Sequence, residues 1–141
     1  MRRGLVCSAF DLLHAGHMLM LKDARSTCDH LIAGLQIDPS ATEASYRGKK
    51  KNPPIMSLRE RMIVLQGVRY VDEIFVYNHE PILHAIIEKL GPHVRILGDD
   101  WQGRYATGQE FADEIVYHIR NHSYSTTELR KRIAQAELTP R

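Results

Sequence analysis

Short apolar runs alternate with stretches of helical periodicity along the chain, and this alternation constrains the fold more than any other feature. Each run has the length of a buried strand, and the segments between runs repeat their apolar residues at helical spacing. Five strands are predicted, at Leu5–Cys7, Leu31–Ile37, Ile74–Tyr77, Val94–Leu97 and Ile115–Tyr117. Strands that alternate with helices pair in parallel. The pattern therefore predicts an α/β fold, a doubly wound five-stranded parallel sheet with helices on both faces.

Local capping signals mark the start of three predicted helices. The first helix begins at Gly16, directly after a polar turn. Ser57 caps the second helix, with Glu60 as its capping-box partner, and Ser125 caps the last helix with Glu128. These signals place the helix starts after the first, second and fifth strands.

The spacing of apolar residues predicts the face that each helix buries. In the helix that follows the third strand, Pro81 lies in the first turn, where its missing N–H costs nothing, and Gly91 ends the helix. The residues expected to face inward are Met18, Leu21, Ala24, Cys28, Leu58, Met62, Leu65, Ile82, Leu83, Ile86, Ile87, Leu90, Leu129, Ile133 and Ala136.

Length and charge limit the classes of protein that remain. The 141 residues suit a single domain, residues 1–141, and a composition with 43% hydrophobic residues suits an ordinary globular core. Because 19 Lys and Arg residues face 17 Asp and Glu residues, no overall field attracts nucleic acid. No apolar run approaches the ~18 residues of a membrane span, so no membrane insertion is expected. The two cysteines form no paired motif, and a cytoplasmic location is the expectation.

The polar segments of interest follow the carboxyl ends of predicted strands. In open parallel sheets, ligands bind outside those ends. The segments are Ser8–His17, Asp38–Met56, Gly98–Trp101 and Arg120–Thr127. Their convergence predicts one ligand site at this edge of the sheet.

The sharpest of these segments contains two histidines that flank a glycine where a strand gives way to a helix. Gly16 allows the backbone to approach a ligand closely, and the helix start offers free N–H groups with a positive dipole end. His14 and His17 can donate to phosphate oxygens whose charge grows during phosphoryl transfer. Two other interpretations remain open, a pair that caps the turn and a zinc pair that lacks further ligands at the usual spacing.

The residues His14-Ala15-Gly16-His17 fit the HxGH signature of the nucleotidyltransferase superfamily. The longer string from Phe10 to His17 resembles the cytidylyltransferase branch, and other segments agree in order. They are Arg69-Tyr70-Val71-Asp72-Glu73, Gly98-Asp99-Asp100-Trp101-Gln102-Gly103 and Tyr124-Ser125-Thr126-Thr127. Together they are most similar to the glycerol-3-phosphate cytidylyltransferases, whose fold is Rossmann-like.

The resemblance implies a reaction, its substrates and an assembly. A phosphate or phosphonate acceptor such as glycerol 3-phosphate would attack the α-phosphorus of CTP, and pyrophosphate would leave. Mg²⁺ would be bound mainly through the triphosphate, so no metal-ligating residue of the chain is predicted. A homodimer built around Arg69–Glu73 is also implied.

The resemblance also implies roles for individual residues. The catalytic candidates are His14, His17 and Arg61, together with Lys49 or Lys51 from the lysine run at 49–51. The implied nucleotide-binding residues are Ser8, Ala9, Phe10, His14, Gly16, His17, Arg61, Gly98, Asp100, Arg120, Ser125 and Thr126. The residues expected at the acceptor are Asp11, Asp38 and Trp101.

Two departures from the family pattern keep alternatives open. Ser8-Ala9 stands where Gly-Thr is usual, and Asn121 and Ser123 replace the usual Thr and Gly after Arg120. An adenylyltransferase of the same fold is therefore the alternative enzyme. A nucleotide-binding module without catalysis is the alternative outside enzymes.

Overall fold

The computed structural model describes residues 1–41 and 51–140 of the chain. Its sheet contains five parallel strands in the order β3-β2-β1-β4-β5. The strands are β1 Arg3–Ser8, β2 His30–Gln36, β3 Glu73–Tyr77, β4 Val94–Gly98 and β5 Glu114–His118. The helices are α1 Ala15–Ser26, α2 Leu58–Gln66, α3 Glu80–Leu90 and α4 Thr126–Leu138. The predicted α/β, Rossmann-like doubly wound sheet is confirmed.

The strand order creates a crevice beside the central strand. From β1 the chain moves outward through β2 and β3, and α3 then returns it to the other side of β1, where β4 pairs. The direction of winding reverses between β1 and β4, and such a reversal opens a ligand crevice at the carboxyl ends of the strands. The segments that follow β1 and β4 both begin at this edge.

Alternation along the strands supplies a core on each face of the sheet. Val6 packs with α1 and α2 on one face, where Leu21 and Leu65 are fully buried. Leu5, its neighbour, packs on the other face with α3, through Leu83 and Ile87. Side chains of successive strand residues point to opposite faces, so one apolar run serves both layers.

The predicted caps are confirmed where the structure describes them. Ser57 and Glu60 form a complete capping box at α2. Ser125 caps α4 by accepting from the Glu128 amide at 3.0 Å. Gly91 ends α3 in the left-handed conformation, with φ of 50°.

Three residues predicted to face inward are exposed. Ile82 is 53% exposed because Leu83 and Ile87, one turn apart, set the buried stripe of α3 and turn Ile82 away from it. In α4 no residue is buried, Ile133 is 49% exposed, and Ala136 is also exposed. The physical reason is position, since α4 follows the edge strand β5 and meets the site through its first turn. Among residues 1–41 and 51–140, no helix is long and apolar enough to cross a membrane.

Candidate active site

The chain leaves β1 through a strained turn that leads into the predicted motif. Phe10 and Leu12 have φ of 49° and 50°, in the left-handed region that non-glycine residues rarely adopt. Phe10 is nevertheless 1% exposed and belongs to the core, and Ser8 accepts from its amide at 3.3 Å. Packing therefore holds a backbone strain that is common at functional sites.

His14 and His17 cap the helix that carries them, and this capping is compatible with a second role as donors to a ligand. His14 is the N-cap of α1, and its Nδ1 accepts from the Gly16 amide at 3.0 Å. His17 Nδ1 accepts from the His14 amide at 3.2 Å. Because Nδ1 of each neutral ring accepts a hydrogen bond, the proton of each ring lies on Nε2. Capping thus converts both rings into Nε2–H donors.

The two rings meet the start of α4. Their centroids are 4.0 Å apart, and His14 Nε2 lies 3.2 Å from Thr126 Oγ1. Gly16 makes this approach possible, because a Cβ there would lie 2.8 Å from His14 Cε1 and 3.0 Å from the Tyr124 carbonyl oxygen. The N-termini of α1 and α4 therefore face one site, where free amides and both helix dipoles favour an anion.

The electrostatic environment keeps both imidazoles neutral. Burial lowers the pKa of His17 to about 4, with a further contribution from His14, whereas Asp11 raises it in part. Burial also lowers the pKa of His14, and the neighbouring Arg120 and His122 lower it further. At neutral pH the site therefore presents two uncharged donors beside two helix N-termini.

Arg120 extends the site from the β5–α4 connection. Its guanidinium donates to the Tyr124 carbonyl at 2.6 Å, and its amide donates to Asp99 at 2.9 Å. Arg120 itself is exposed. The structure therefore brings His14, His17 and Arg120 together with the predicted residues Ser125 and Thr126.

Arg61 lies below the turn rather than at its surface. It is 2% exposed, and four of its N–H groups donate to main-chain carbonyls. The acceptors are Met56 at 3.1 Å, Ala9 at 3.0 Å, Gln36 at 2.6 Å and Ile37 at 2.5 Å. Arg61 thus joins the chain after β1 to the chain after β2. Its predicted contact with phosphates stays a prediction, and the structure adds this positioning role.

Asp11 and Asp38 both lie near the guanidinium of Arg61 and raise its pKa against the effect of burial. Asp11 is 8% exposed, and its two oxygens accept from the amides of Ile55 at 2.8 Å and Met56 at 2.9 Å. Asp38 accepts from Ser40 in a short turn. Asp11 and Asp38, the two carboxylates predicted at the acceptor, therefore stabilise the chain segments that border the site through hydrogen bonds.

The remaining predicted residues occupy the rim or lie outside the described residues. Asp100 follows β4, and its Oδ1 would be 2.7 Å from a Cβ at Gly98, so the glycine accommodates the carboxylate. Trp101 is half-buried in the same turn. Lys49 lies outside the described residues. Burial lowers the pKa of Lys51, and Glu80 partly opposes that shift, although the residue as a whole is exposed.

Two features were not predicted from the sequence, one at the site and one in the sheet beside it. Tyr124 contributes its main-chain carbonyl, which no side-chain pattern reveals. Arg95 is 4% exposed in β4, and its signal was a charge inside the apolar run Val94–Leu97. An arginine side chain is almost never fully buried in a protein unless its charge is paired.

Comparison with known proteins agrees with this geometry. The family model described as cytidylyltransferase-like matches residues 5–132. The glycerol-3-phosphate cytidylyltransferase of Bacillus subtilis is 30% identical over 135 residues, which cover 95% of this chain and 98% of that protein. The bifunctional protein HldE of Aliarcobacter butzleri is 34% identical over 128 residues, covering 91% of this chain and 26% of that protein. The chain thus spans about a quarter of the length of the HldE proteins it matches.

A solved structure shows the same fold. The lipopolysaccharide core biosynthesis protein of Thermoplasma volcanium has a TM-score of 0.58 and 22% identity, over 99% of this chain and 91% of that one. The family model covers both the histidine turn and the start of α4, the two segments that form the candidate site. The chain belongs to the cytidylyltransferase-like family.

Proposed function

We propose that this protein transfers CMP from CTP to a small phosphate or phosphonate acceptor such as glycerol 3-phosphate and releases pyrophosphate. The observation that carries the proposal is the pair of neutral Nε2–H donors at the meeting point of two helix N-termini. The glycerol-3-phosphate cytidylyltransferase of Bacillus subtilis, similar over nearly its whole length, supports the choice of substrates.

An oxygen of the acceptor phosphate attacks the α-phosphorus of CTP in line with the departing pyrophosphate. One P–O bond forms to the acceptor, the bond between the α-phosphorus and the bridging oxygen breaks, and pyrophosphate carries away the electron pair. The acceptor phosphate is already ionised at neutral pH, so no general base is required. Positioning and charge stabilisation supply the catalysis.

His14 and His17 stabilise the charge that develops on the α-phosphate oxygens. Their Nε2–H groups are fixed by the hydrogen bonds at Nδ1 and require no reorganisation during the reaction. Because both rings are neutral, they donate without losing a proton to the phosphate. A phosphate oxygen beside Thr126 would receive both the His14 donor and the amides at the start of α4.

The outer phosphates and the acceptor lie against the rim of the same crevice. Arg120 is exposed next to the histidines and supplies a cation for the β- and γ-phosphates. Lys49 or Lys51 closes over the substrates from the loop after β2. Mg²⁺ enters as part of the Mg–triphosphate substrate, with phosphate oxygens and water as its main ligands.

Arg61 and Asp11 act on the reaction by holding the turn that presents the histidines. Arg61 holds the carbonyl of Ala9, and Asp11 holds the amides of residues 55 and 56. Their side chains keep the segments after β1 and β2 in register with each other. The 1 Å precision that in-line transfer requires depends on this support.

Transfer of the labelled α-phosphorus tests the proposal. CTP labelled at the α-phosphorus should deliver its label to a product that also contains the acceptor, whereas label at the γ-phosphorus should appear in pyrophosphate. The variant in which His14 and His17 are both replaced by alanine is the control and should transfer neither label. Release of inorganic phosphate from the γ-position, without transfer of the α-phosphorus, would contradict the proposal.

ATP is the second candidate nucleotide. The segment after Arg120 carries Asn121 and Ser123, which depart from the cytidylyltransferase pattern. HldE proteins match this chain at 33 to 34% identity. The same labelling experiment with ATP decides between the two nucleotides.

A further inference from the structure

Arg95 is a buried cation with an unused donor. It is 4% exposed, and its Nη1 donates to the Thr107 carbonyl at 2.7 Å. Its Nε atom is buried without a hydrogen-bond partner among residues 1–41 and 51–140. Within the same residues, no carboxylate forms an ion pair with Arg95. Burying a charge in this way is costly unless another group satisfies it.

A carboxylate and a hydroxyl lie next to this cation. The Thr107 hydroxyl donates to Glu80 Oε2 at 2.6 Å, so the residue that accepts from Arg95 also contacts Glu80. Burial raises the pKa of Tyr77 and of Cys7, Arg95 lowers both in part, and Glu80 raises both. These five residues therefore form one electrostatic group, which we call the Arg95 cluster.

The Arg95 cluster lies on the face of the sheet opposite α1. Arg95 itself is the second residue of β4, and the cluster reaches the carboxyl ends of the strands through Cys7, Tyr77 and Glu80. Arg95 pairs with Leu5, whose side chain packs on the α3 face, and alternation places both side chains there. Cys7 is one residue before the end of β1, and Tyr77 is the last residue of β3. The cluster thus borders the switch point between β1 and β4, next to the turn that carries the histidines.

Exposure increases outward from Arg95. Arg95 and Tyr77 are buried, Cys7, Glu80 and Thr107 are half-buried, and Lys51 is exposed. Glu80 raises the pKa of Lys51 in part, so Lys51 lies within electrostatic range of the carboxylate of the cluster. A small molecule held between the histidines and Lys51 would therefore extend its far end toward this group.

We propose that the Arg95 cluster binds hydroxyl groups of the acceptor, so that the acceptor is a polyol phosphate rather than a choline-type phosphate. The inference rests on the proposed function and names its substrate class. A hydroxyl can accept from Arg95 Nε and donate to the Glu80 carboxylate. It therefore pairs with both the donor and the acceptor of the cluster. The quaternary ammonium of choline phosphate has no hydrogen-bond donor, and the positive charge of Arg95 would repel it.

Acceptor discrimination by the wild-type protein is the first test. Rates of pyrophosphate release are measured with glycerol 3-phosphate, with n-propyl phosphate, which lacks the two hydroxyls, and with choline phosphate. We expect kcat/KM for glycerol 3-phosphate to exceed that for either analogue by about a hundredfold, because a buried polar site rejects a ligand that leaves it unpaired. Equal use of the three acceptors, or preference for choline phosphate, would overturn the inference and leave the proposed function intact.

The variant Arg95→Met assigns the discrimination to this side chain. It should reduce kcat/KM for glycerol 3-phosphate by between about tenfold and a hundredfold, leave n-propyl phosphate nearly unchanged, and keep the KM for the nucleotide. Arg132→Met, the same change at an exposed site on α4, is the matched control. An equal loss with both acceptors would show a purely structural role and refute the assignment.

Two further outcomes are informative. If Arg95→Met does not fold, Arg95→Lys retains the charge without the Nε donor and should show the same selective loss. If no acceptor and no nucleotide yields pyrophosphate while the protein is folded, the proposed function fails, and that result is distinct from a broad acceptor range.

Discussion

At the scale of single residues, the central feature is that the two site histidines act as caps and as donors at once. Each Nδ1 is occupied by a main-chain amide, so each Nε2 has a defined proton and direction. A residue that only capped the turn would not need to be an imidazole, since a serine or aspartate caps a helix equally well. The combination explains why the HxGH pattern requires histidine.

His17→Ala should reduce kcat by ~10²-fold or more, the scale expected for the loss of one transition-state donor. Because Nδ1 of His17 also accepts from the His14 amide, the alanine variant loses part of the cap as well. His17→Asn, whose side-chain oxygen can accept from that amide, is the matched variant. Steady-state kinetics and circular dichroism should show both variants folded, and near-normal turnover in either would refute the role.

The lowered pKa of His17 also predicts a pH dependence of stability. In the folded protein His17 has a pKa of about 4, against about 6.5 in the unfolded chain, so the unfolded chain binds the additional proton between these values. Stability should therefore be fully present above about pH 6.5 and decline by at most about 3 kcal/mol as the pH falls to 4. Urea unfolding at pH 7 and pH 5 measures this decline, which should be smaller in His17→Asn. An identical decline in both proteins would contradict the assignment.

Arg61→Ala should lower the free energy of unfolding by about 3 kcal/mol or more, because it leaves four main-chain carbonyls without their donor in a buried site. Arg59→Ala, an exposed neighbour on the same helix, is the control and should change stability little. Urea unfolding provides the measurement. A stable Arg61→Ala protein with a raised KM for the nucleotide would instead favour direct contact with the triphosphate.

At the scale of elements, the site depends on where helices begin. α1 and α4 come from opposite ends of the chain, yet His14 meets Thr126 across a single hydrogen bond. The first turn of α4 is fixed by its cap, whereas its later turns have no buried residue. The function of α4 is therefore concentrated at its N-terminus.

Ser125→Ala should remove the N-cap of α4 and cost about 1 kcal/mol of stability. The KM for the triphosphate should rise as well, because the amides at the start of the helix lose their fixed direction. Ser26→Ala, at the C-terminal end of α1, is the matched control. If both serine variants have the same KM for the nucleotide, the start of α4 does not bind phosphate.

Some elements could be predicted from the sequence because their signals are local. Alternation of apolar runs located the strands, and Ser57 and Ser125 marked helix starts through contacts three residues away. The carbonyl partners of Arg61 could not be predicted, since Ala9 and Gln36 are distant in sequence and offer no side-chain signal. The prediction that Ile133 and Ala136 of α4 face inward was wrong, whereas Leu129 in the first turns is half-buried. Apolar spacing shows which face a helix would bury, but not whether a layer lies opposite it.

At the scale of the whole molecule, the proposed assembly is a homodimer built around Arg69–Glu73. The Arg69 guanidinium lies over the Tyr70 ring, 5.0 Å from its centroid, and donates to the Tyr70 hydroxyl at 2.9 Å. Sedimentation equilibrium at micromolar concentration should give twice the 16.2 kDa mass of the chain. Tyr70→Glu should shift the distribution toward the single chain. A single chain at all concentrations would contradict the dimer.

The central claim is that the histidine site releases pyrophosphate from a nucleoside triphosphate when a phosphate acceptor attacks. The most direct measurement is pyrophosphate release with Mg²⁺, with CTP, ATP, UTP and GTP each crossed against glycerol 3-phosphate and a panel of phosphate and phosphonate acceptors. We expect pyrophosphate release with CTP, with the highest kcat/KM for acceptors that carry hydroxyl groups. Binding of nucleotides without pyrophosphate release for any combination would contradict it and leave a nucleotide-binding module.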